Sequence, residues 1–287
     1  MTTGSCLCGL VRYEVSAPFK WMVHCHCSMC RKHHGTLCGT VLGADRSQFS
    51  WLSGEAHITH YRSSPTYERP FCSQCGSAVP DASGDLVTIP PGTLQSDPGT
   101  KPSAHIFVAS KSPMWNITDG LTQFDEYPSG YGTAVKYTAP VAEGEKLCGS
   151  CLCGDVAFAI DAIPTNIVNC HCTRCQRSRG TAHATNVFVR REHLRWLRGA
   201  QQVKTYKIPE AQLFCNSFCA CCGSLLPALF EGIKRYNVPL GCLDQPLEAK
   251  PALHIHVQSR APWFDITDAL PRFDEMPPLD RVRELMF

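Results

Sequence analysis

Short stretches of alternating hydrophobic and polar positions recur along the chain, and none runs long. Val11-Arg12-Tyr13-Glu14-Val15 alternates, as do Val156 to Ile160 and His57 to Tyr61, so each predicts a strand with one buried face. Leu86-Val87-Thr88-Ile89 and Ile106-Phe107-Val108 are compact apolar runs of the kind that form buried or edge strands. Prolines at 80, 90, 91, 98, 102 and 113 interrupt the first half too often for a long helix. The pattern predicts a mainly β fold assembled from short antiparallel strands joined by turns.

The same pattern occurs twice. Gly4-Ser5-Cys6-Leu7-Cys8-Gly9 returns letter for letter as Gly149-Ser150-Cys151-Leu152-Cys153-Gly154. Cys25-His26-Cys27-Ser28-Met29-Cys30 returns as Cys170-His171-Cys172-Thr173-Arg174-Cys175. Phe71-Cys72 with Cys75-Gly76-Ser77 matches Phe218-Cys219 with Cys222-Gly223-Ser224, and His105-Ile106, Ile117-Thr118-Asp119 and Phe124-Asp125-Glu126 match His254-Ile255, Ile266-Thr267-Asp268 and Phe273-Asp274-Glu275. The offset grows from 145 to 147 to 149 residues, which two small insertions in the second copy explain. A tandem duplication follows, with one domain over 1–128, a linker rich in Gly, Pro and small residues over 129–147, and a second domain over 148–287.

Composition narrows the function. The 287 residues are 44% hydrophobic and 18% charged, and 27 Lys+Arg against 25 Asp+Glu leave a net charge of +2. That balance argues against nucleic acid as a partner. The opening MTTGSCLCGL has no basic-then-apolar leader and no apolar run reaches membrane-spanning length, so the expectation is a cytoplasmic chain with no membrane contact. In a reducing compartment, 19 cysteines point to metal ligands before disulfides.

Their spacing forms two kinds of cluster. A Cys-x-Cys and a distant Cys-x-x-Cys supply Cys6, Cys8, Cys72 and Cys75, then Cys151, Cys153, Cys219 and Cys222. Four thiolates from two short loops close a tetrahedron around Zn²⁺, and the glycines that follow suit turns needing positive φ. The plain alternative is buried, reduced cysteine. The second kind is Cys25, Cys27 and Cys30, repeated as Cys170, Cys172 and Cys175. Three thiolates leave a fourth position for water or substrate, the arrangement of a catalytic zinc. His26 and His171 would point away from the metal in an extended segment. Cys38 and His183, which align with each other, are candidates to close the triplets, with His33 and His34 as further options in the first copy. Arg31 and Lys32 beside the first triplet, and Arg174, Arg177 and Arg179 around the second, are an exposed basic face or contacts for an anionic substrate. Cys148, Cys215, Cys221 and Cys242 lack counterparts in the other copy and are expected to be ordinary thiols.

These motifs, GSCxCG, CHCxxC, FCxxCGS and the terminal ITD and FDE segments, resemble those of the glutathione-dependent formaldehyde-activating enzymes, a family that includes the centromere protein V type domain. The resemblance covers the chain twice, apart from the linker. It implies two tandem β-tent domains with two zincs each, up to four per chain. It further implies structural four-Cys sites, catalytic three-Cys sites, and glutathione as co-substrate. The implied activity is carbon–sulfur lyase chemistry on a small thiol, aldehyde or larger glutathione conjugate, as in detoxification or secondary metabolism, by a monomer or homodimer. The second copy departs from the pattern at Gln176 and Ser217, and the first at Gln95. The competing expectation is a non-catalytic, zinc-stabilised protein-binding module; a redox switch through the Cys-x-x-Cys pairs is a third.

Overall fold

A computed structural model describes residues 1–132, 134–135, 137, 147–278 and 281. Residues 133, 136 and 138–146 of the expected linker lie outside the described residues, as do 279–280 and 282–287 of the expected second domain.

The first repeat consists of β1 (Thr2–Ser5), β2 (Arg12–Val15), β3 (Trp21–Cys25), α1 (Ser28–His34), β4 (Gly39–Asp45), β5 (Phe49–Ser53), β6 (Ile58–Ser64), β7 (Tyr67–Cys72), β8 (Leu86–Ile89), β9 (Ala104–Ile106) and β10 (Thr122–Gln123). The second follows with β11 (Cys148–Ser150), β12 (Ala157–Ile160), β13 (Ile167–Cys170), α2 (Thr173–Arg179), β14 (Ala184–Arg190), β15 (Leu194–Arg198), β16 (Val203–Lys207), β17 (Cys215–Cys219), β18 (Leu225–Leu226), β19 (Ala228–Phe230), β20 (Arg235–Pro239) and β21 (Leu253–Ile255). The mainly β expectation holds, and the alternating segments become β2, β6 and β12 with shifts of one residue at their starts.

Each repeat builds a three-stranded sheet, β1-β2-β5 or β11-β12-β15, and a five-stranded one, β10-β9-β3-β4-β8 or β19-β20-β14-β13-β21. Most pairings are antiparallel, but β9 and β21 lie parallel to β3 and β13. The predicted strand at Ile106–Val108 ends at Ile106, where the chain leaves the sheet through Phe107 at φ 59° and a 3₁₀ turn over Val108–Ser110.

The hydrophobic cores do not respect the repeat boundary. Met114 and Leu37 of the first repeat are buried in the core formed by Val156, Phe158, Val187 and Val238 of the second. Reciprocally, Ala182, Ala261 and Trp263 are buried among Tyr13, Met22, Leu42 and Phe49 of the first. Each repeat thus lends an arm, and the loop after its helix, to its neighbour's core. Phe71 and Phe218 meet edge to face where the halves touch, with ring centroids 6.2 Å apart. This interlock fixes the two helices, α1 and α2, that carry the three-cysteine clusters relative to one another.

Candidate metal centres and an inter-repeat cavity

The four-cysteine groups form at the ends of strands. Cys6 follows β1 and Cys72 closes β7; Cys151 and Cys219 take the same places after β11 and in β17. Sγ separations are 3.4 Å for Cys6–Cys8 and 3.7 Å for Cys8–Cys72, with 3.3 and 3.8 Å for Cys151–Cys153 and Cys153–Cys219. Four sulfurs about 2.3 Å from one zinc stand about 3.8 Å apart at tetrahedral angles, whereas a disulfide would need about 2.05 Å. The eight thiols of these two groups form no disulfide. Gly9 and Gly76, which follow the cysteine pairs, take φ of 78° and 74°, the positive values their positions predict. Backbone N–H groups of Val11 and Val156 donate to the sulfurs of Cys6 and Cys151.

The three-cysteine groups sit where β3 runs into α1 and β13 into α2. Cys25 ends its strand, Cys27 caps the helix by accepting the N–H of Cys30, and Cys30 lies in the first turn; Cys170, Cys172 and Cys175 do the same. In each triplet all ligand atoms lie within 4.8 Å of one another. Among the described residues each of these groups holds three ligand atoms. Cys38 instead directs its thiol to the carbonyl of Gly39, 3.3 Å away, and His183 stacks on Trp115 with centroids 5.5 Å apart.

Charge separates the two triplets. Arg69 is buried, and both terminal nitrogens of its guanidinium approach the Cys30 sulfur at 3.7 Å. Hydrogen bonds from Cys25 and Cys27, with Arg69 adding its charge, hold Cys30 well below the usual thiol range. In the second repeat the position matching Arg69 is Asn216, which donates across the interface to the carbonyl of Cys75. There hydrogen bonds from Cys170 and Cys175 lower Cys172 to about 3.

Other basic candidates serve the framework. Arg31 donates to the carbonyls of His26 and Ser110. Gln176, its counterpart, donates to the matching carbonyls of His171 and Ser259 at 2.5 and 2.6 Å, so the pinning contact survives loss of the charge. Lys32 crosses to the second repeat, where its buried ammonium meets Asp244 at 2.6 Å and Ser150 at 2.8 Å. Arg174 is exposed and Arg177 half-buried on α2. His34 donates from Nδ1 to the carbonyl of Arg179 across the interface at 2.6 Å, and Arg179 donates to Asn186. His33 lies buried beside it.

Sequence reasoning did not find two chains of polar residues behind the triplets. His26 Nε2 lies 2.8 Å from His105 Nδ1, and His105 Nε2 is 3.1 Å from both oxygens of Asp119. His171, His254 and Asp268 repeat those distances. The carboxylate accepts only, so His105 donates from Nε2, accepts at Nδ1, and receives the Nε2–H of His26. The signal was present in the paired recurrence of His105 with Asp119 and His254 with Asp268. Burial pushes His26 down to about 3 and keeps that ring neutral.

His105 and His254 also line a cavity of about 570 Å³ between the repeats. The first repeat contributes His24 and Trp115 to its wall, and the second contributes Asn169, His183 and Phe264. Thr118 and Thr267 meet at 2.5 Å across its rim.

A family model described as "Glutathione-dependent formaldehyde-activating enzyme" matches residues 1–110 and again 146–259, which bears out the tandem duplication. A Halomonas elongata protein named "Putative glutathione-dependent formaldehyde-activating enzyme" is 35% identical over 83 residues. That match covers 26% of this chain and 52% of that protein, so the chain spans about half the length of this relative. A crystal structure of a Rhodobacter sphaeroides protein aligns with 25% identity and a TM-score of 0.31 over 35% of this chain and 91% of that one.

Proposed function

The chain belongs to the glutathione-dependent formaldehyde-activating enzyme family, and from that premise we propose a zinc-dependent carbon–sulfur lyase acting on glutathione adducts. In one direction the S–H of glutathione adds across an aldehyde C=O to give an S-hydroxymethyl-type adduct. In the other the C–S bond breaks and thiol and aldehyde are released, with no oxidant or reductant consumed. A larger glutathione conjugate fits the same chemistry.

The observation that carries this reading is the unequal ligand number. Cys6, Cys8, Cys72 and Cys75, and Cys151, Cys153, Cys219 and Cys222, supply four sulfurs each, spaced to enclose a zinc. Cys25, Cys27 and Cys30, and Cys170, Cys172 and Cys175, supply three. We assign the first pair of sites a structural role and the second a catalytic one, for four zincs per chain. Zinc held by three thiolates supplies positive charge that favours the thiolate form of a glutathione sulfur.

The chain's own residues do the rest. Arg69 offsets the negative charge of the first triplet, while Arg31 and Gln176 pin the cysteine loops. The His26–His105–Asp119 chain and its counterpart fix the rings beside the ligands, as outer hydrogen bonds orient metal sites generally. Ile106 and Phe107 wall the first triplet with apolar surface, which limits water. The cavity, within the size range of small-molecule sites, receives the carbon part of the adduct. Exposed Arg174 is available to a glutathione carboxylate, whereas Lys32 is already committed to Asp244. The clustered cysteines, which form no disulfide, suit a reducing compartment such as the cytoplasm.

The test is the rate of adduct formation and release from labelled formaldehyde and glutathione. Cys27→Ser and Cys172→Ser should each remove their own repeat's contribution, and the double variant should fall to the uncatalysed rate with its circular dichroism unchanged. Full activity in a folded double variant would contradict the lyase and leave the protein-binding module.

A further inference from the structure

One thiol expected to be ordinary is not isolated. Cys221 lies exposed between two ligands of the second four-cysteine group, and its sulfur, the sulfur of Cys153 and a carboxylate oxygen of Asp155 all lie within 4.8 Å of one another. Cys153 is also the partly exposed member of its four-cysteine group. The first repeat has the same loops with neither addition: Leu10 stands where Asp155 does, and Gln74 where Cys221 does. Two ligand-type residues, one sulfur and one oxygen, thus converge from separate loops on the same thiolate in one repeat only.

We propose that Cys153, Asp155 and Cys221 form a further, solvent-facing metal site for a borderline-soft divalent cation such as Zn²⁺, sharing Cys153 as a bridging thiolate with the neighbouring four-cysteine site. It rests on the reading of that neighbour as a zinc site. Two sulfurs and one carboxylate match zinc far better than calcium or magnesium, which take oxygen. A closed four-thiolate zinc site carries two excess negative charges, and a second cation on one of those thiolates offsets part of them. Because Cys153 is shared and the remaining ligands face solvent, the site binds more weakly than its neighbour and exchanges its metal with the surroundings.

Native mass spectrometry of the reduced full chain tests this, with zinc alone as the probe. The desalted protein is counted first and then titrated. The wild type should take up one more zinc than Cys221→Gln, which installs the residue the first repeat tolerates. Asp155→Leu should weaken that uptake by roughly tenfold or more, the scale of loss when even an outer partner of a metal site is removed. Grafting Leu10→Asp with Gln74→Cys onto the first repeat should create a second such site. Equal zinc uptake by the wild type and Cys221→Gln would overturn the proposal. A desalted chain without zinc at the four-cysteine sites would overturn the underlying reading as well, and that is visible before any zinc is added.

Discussion

Arg69 is a buried cation that brings both terminal nitrogens to the Cys30 sulfur, the place of a counter-charge for an anionic first triplet. Removing one member of a buried charge pair typically costs about 3–5 kcal/mol because the other is left uncompensated. Arg69→Met should therefore speed loss of zinc from the first triplet to a chromogenic chelator while leaving the second repeat's release unchanged. Unchanged release from both would show that Arg69 is not that counter-charge. A second prediction at this scale concerns acid. Burial lowers His183 to about 3 from an ordinary value of 6.5. The unfolded chain therefore binds a proton there that the folded chain does not. Stability from this residue is complete above pH 6.5 and declines between about 6.5 and 3, by up to about 1.4 kcal/mol per pH unit. Urea unfolding of His183→Gln should show a shallower loss of stability over that window than the wild type; parallel curves would contradict the assignment.

At the scale of elements, α1 is held from outside its own repeat. Lys32→Met strands the buried Asp244 carboxylate and should cost about 3–5 kcal/mol, whereas pairing it with Asp244→Leu should recover most of the loss. Denaturant midpoints of the two variants measure this, and equal destabilisation would contradict it. Lys32 also shows where reading the sequence stops. The repeat, the short strands and both kinds of cysteine cluster were legible because they are local spacings, and zinc geometry constrains spacing tightly. That Lys32 spans to Ser150 and Asp244 was not, since nothing in Arg31-Lys32 distinguishes a solvent-facing cation from one committed 212 residues away. Likewise Gln176 departs from the first repeat's Arg31 in charge but keeps both carbonyl contacts. Sequence comparison registers the lost charge and misses the retained geometry. The histidine–aspartate chains were legible only as recurring letters, because their function depends on parallel pairing of β9 with β3.

For the whole molecule, the exchanged arms make the halves a single cooperative body. At the contacts between each helix and the other repeat's 3₁₀ turn the backbones come close enough to require glycine. A Cβ on Gly92 would lie 2.3 Å from the backbone nitrogen of Thr181, and one on Gly241 would lie 2.1 Å from the carbonyl oxygen of Arg31. Backbone cannot yield as a flexible side chain can, so Gly92→Ala and Gly241→Ala should each destabilise by about 1–3 kcal/mol or more. Both should shift one shared calorimetric transition, where independent domains would show two, only one of them moved. The same interlock encloses the cavity lined by His24, His105 and Trp115 of one repeat and Asn169, His183 and His254 of the other, so neither repeat lines it alone.

The central claim is that the three-cysteine clusters are open metal centres that accept a glutathione sulfur. Zinc-edge X-ray absorption on the chain, freed of loosely held metal, tests it most directly, recorded before and after adding glutathione. Four zincs per chain, with average sulfur coordination rising on glutathione addition and the rise absent in the Cys27→Ser, Cys172→Ser double variant, is the predicted result. Four zincs whose spectrum is indifferent to glutathione would mean closed sites and would contradict the account.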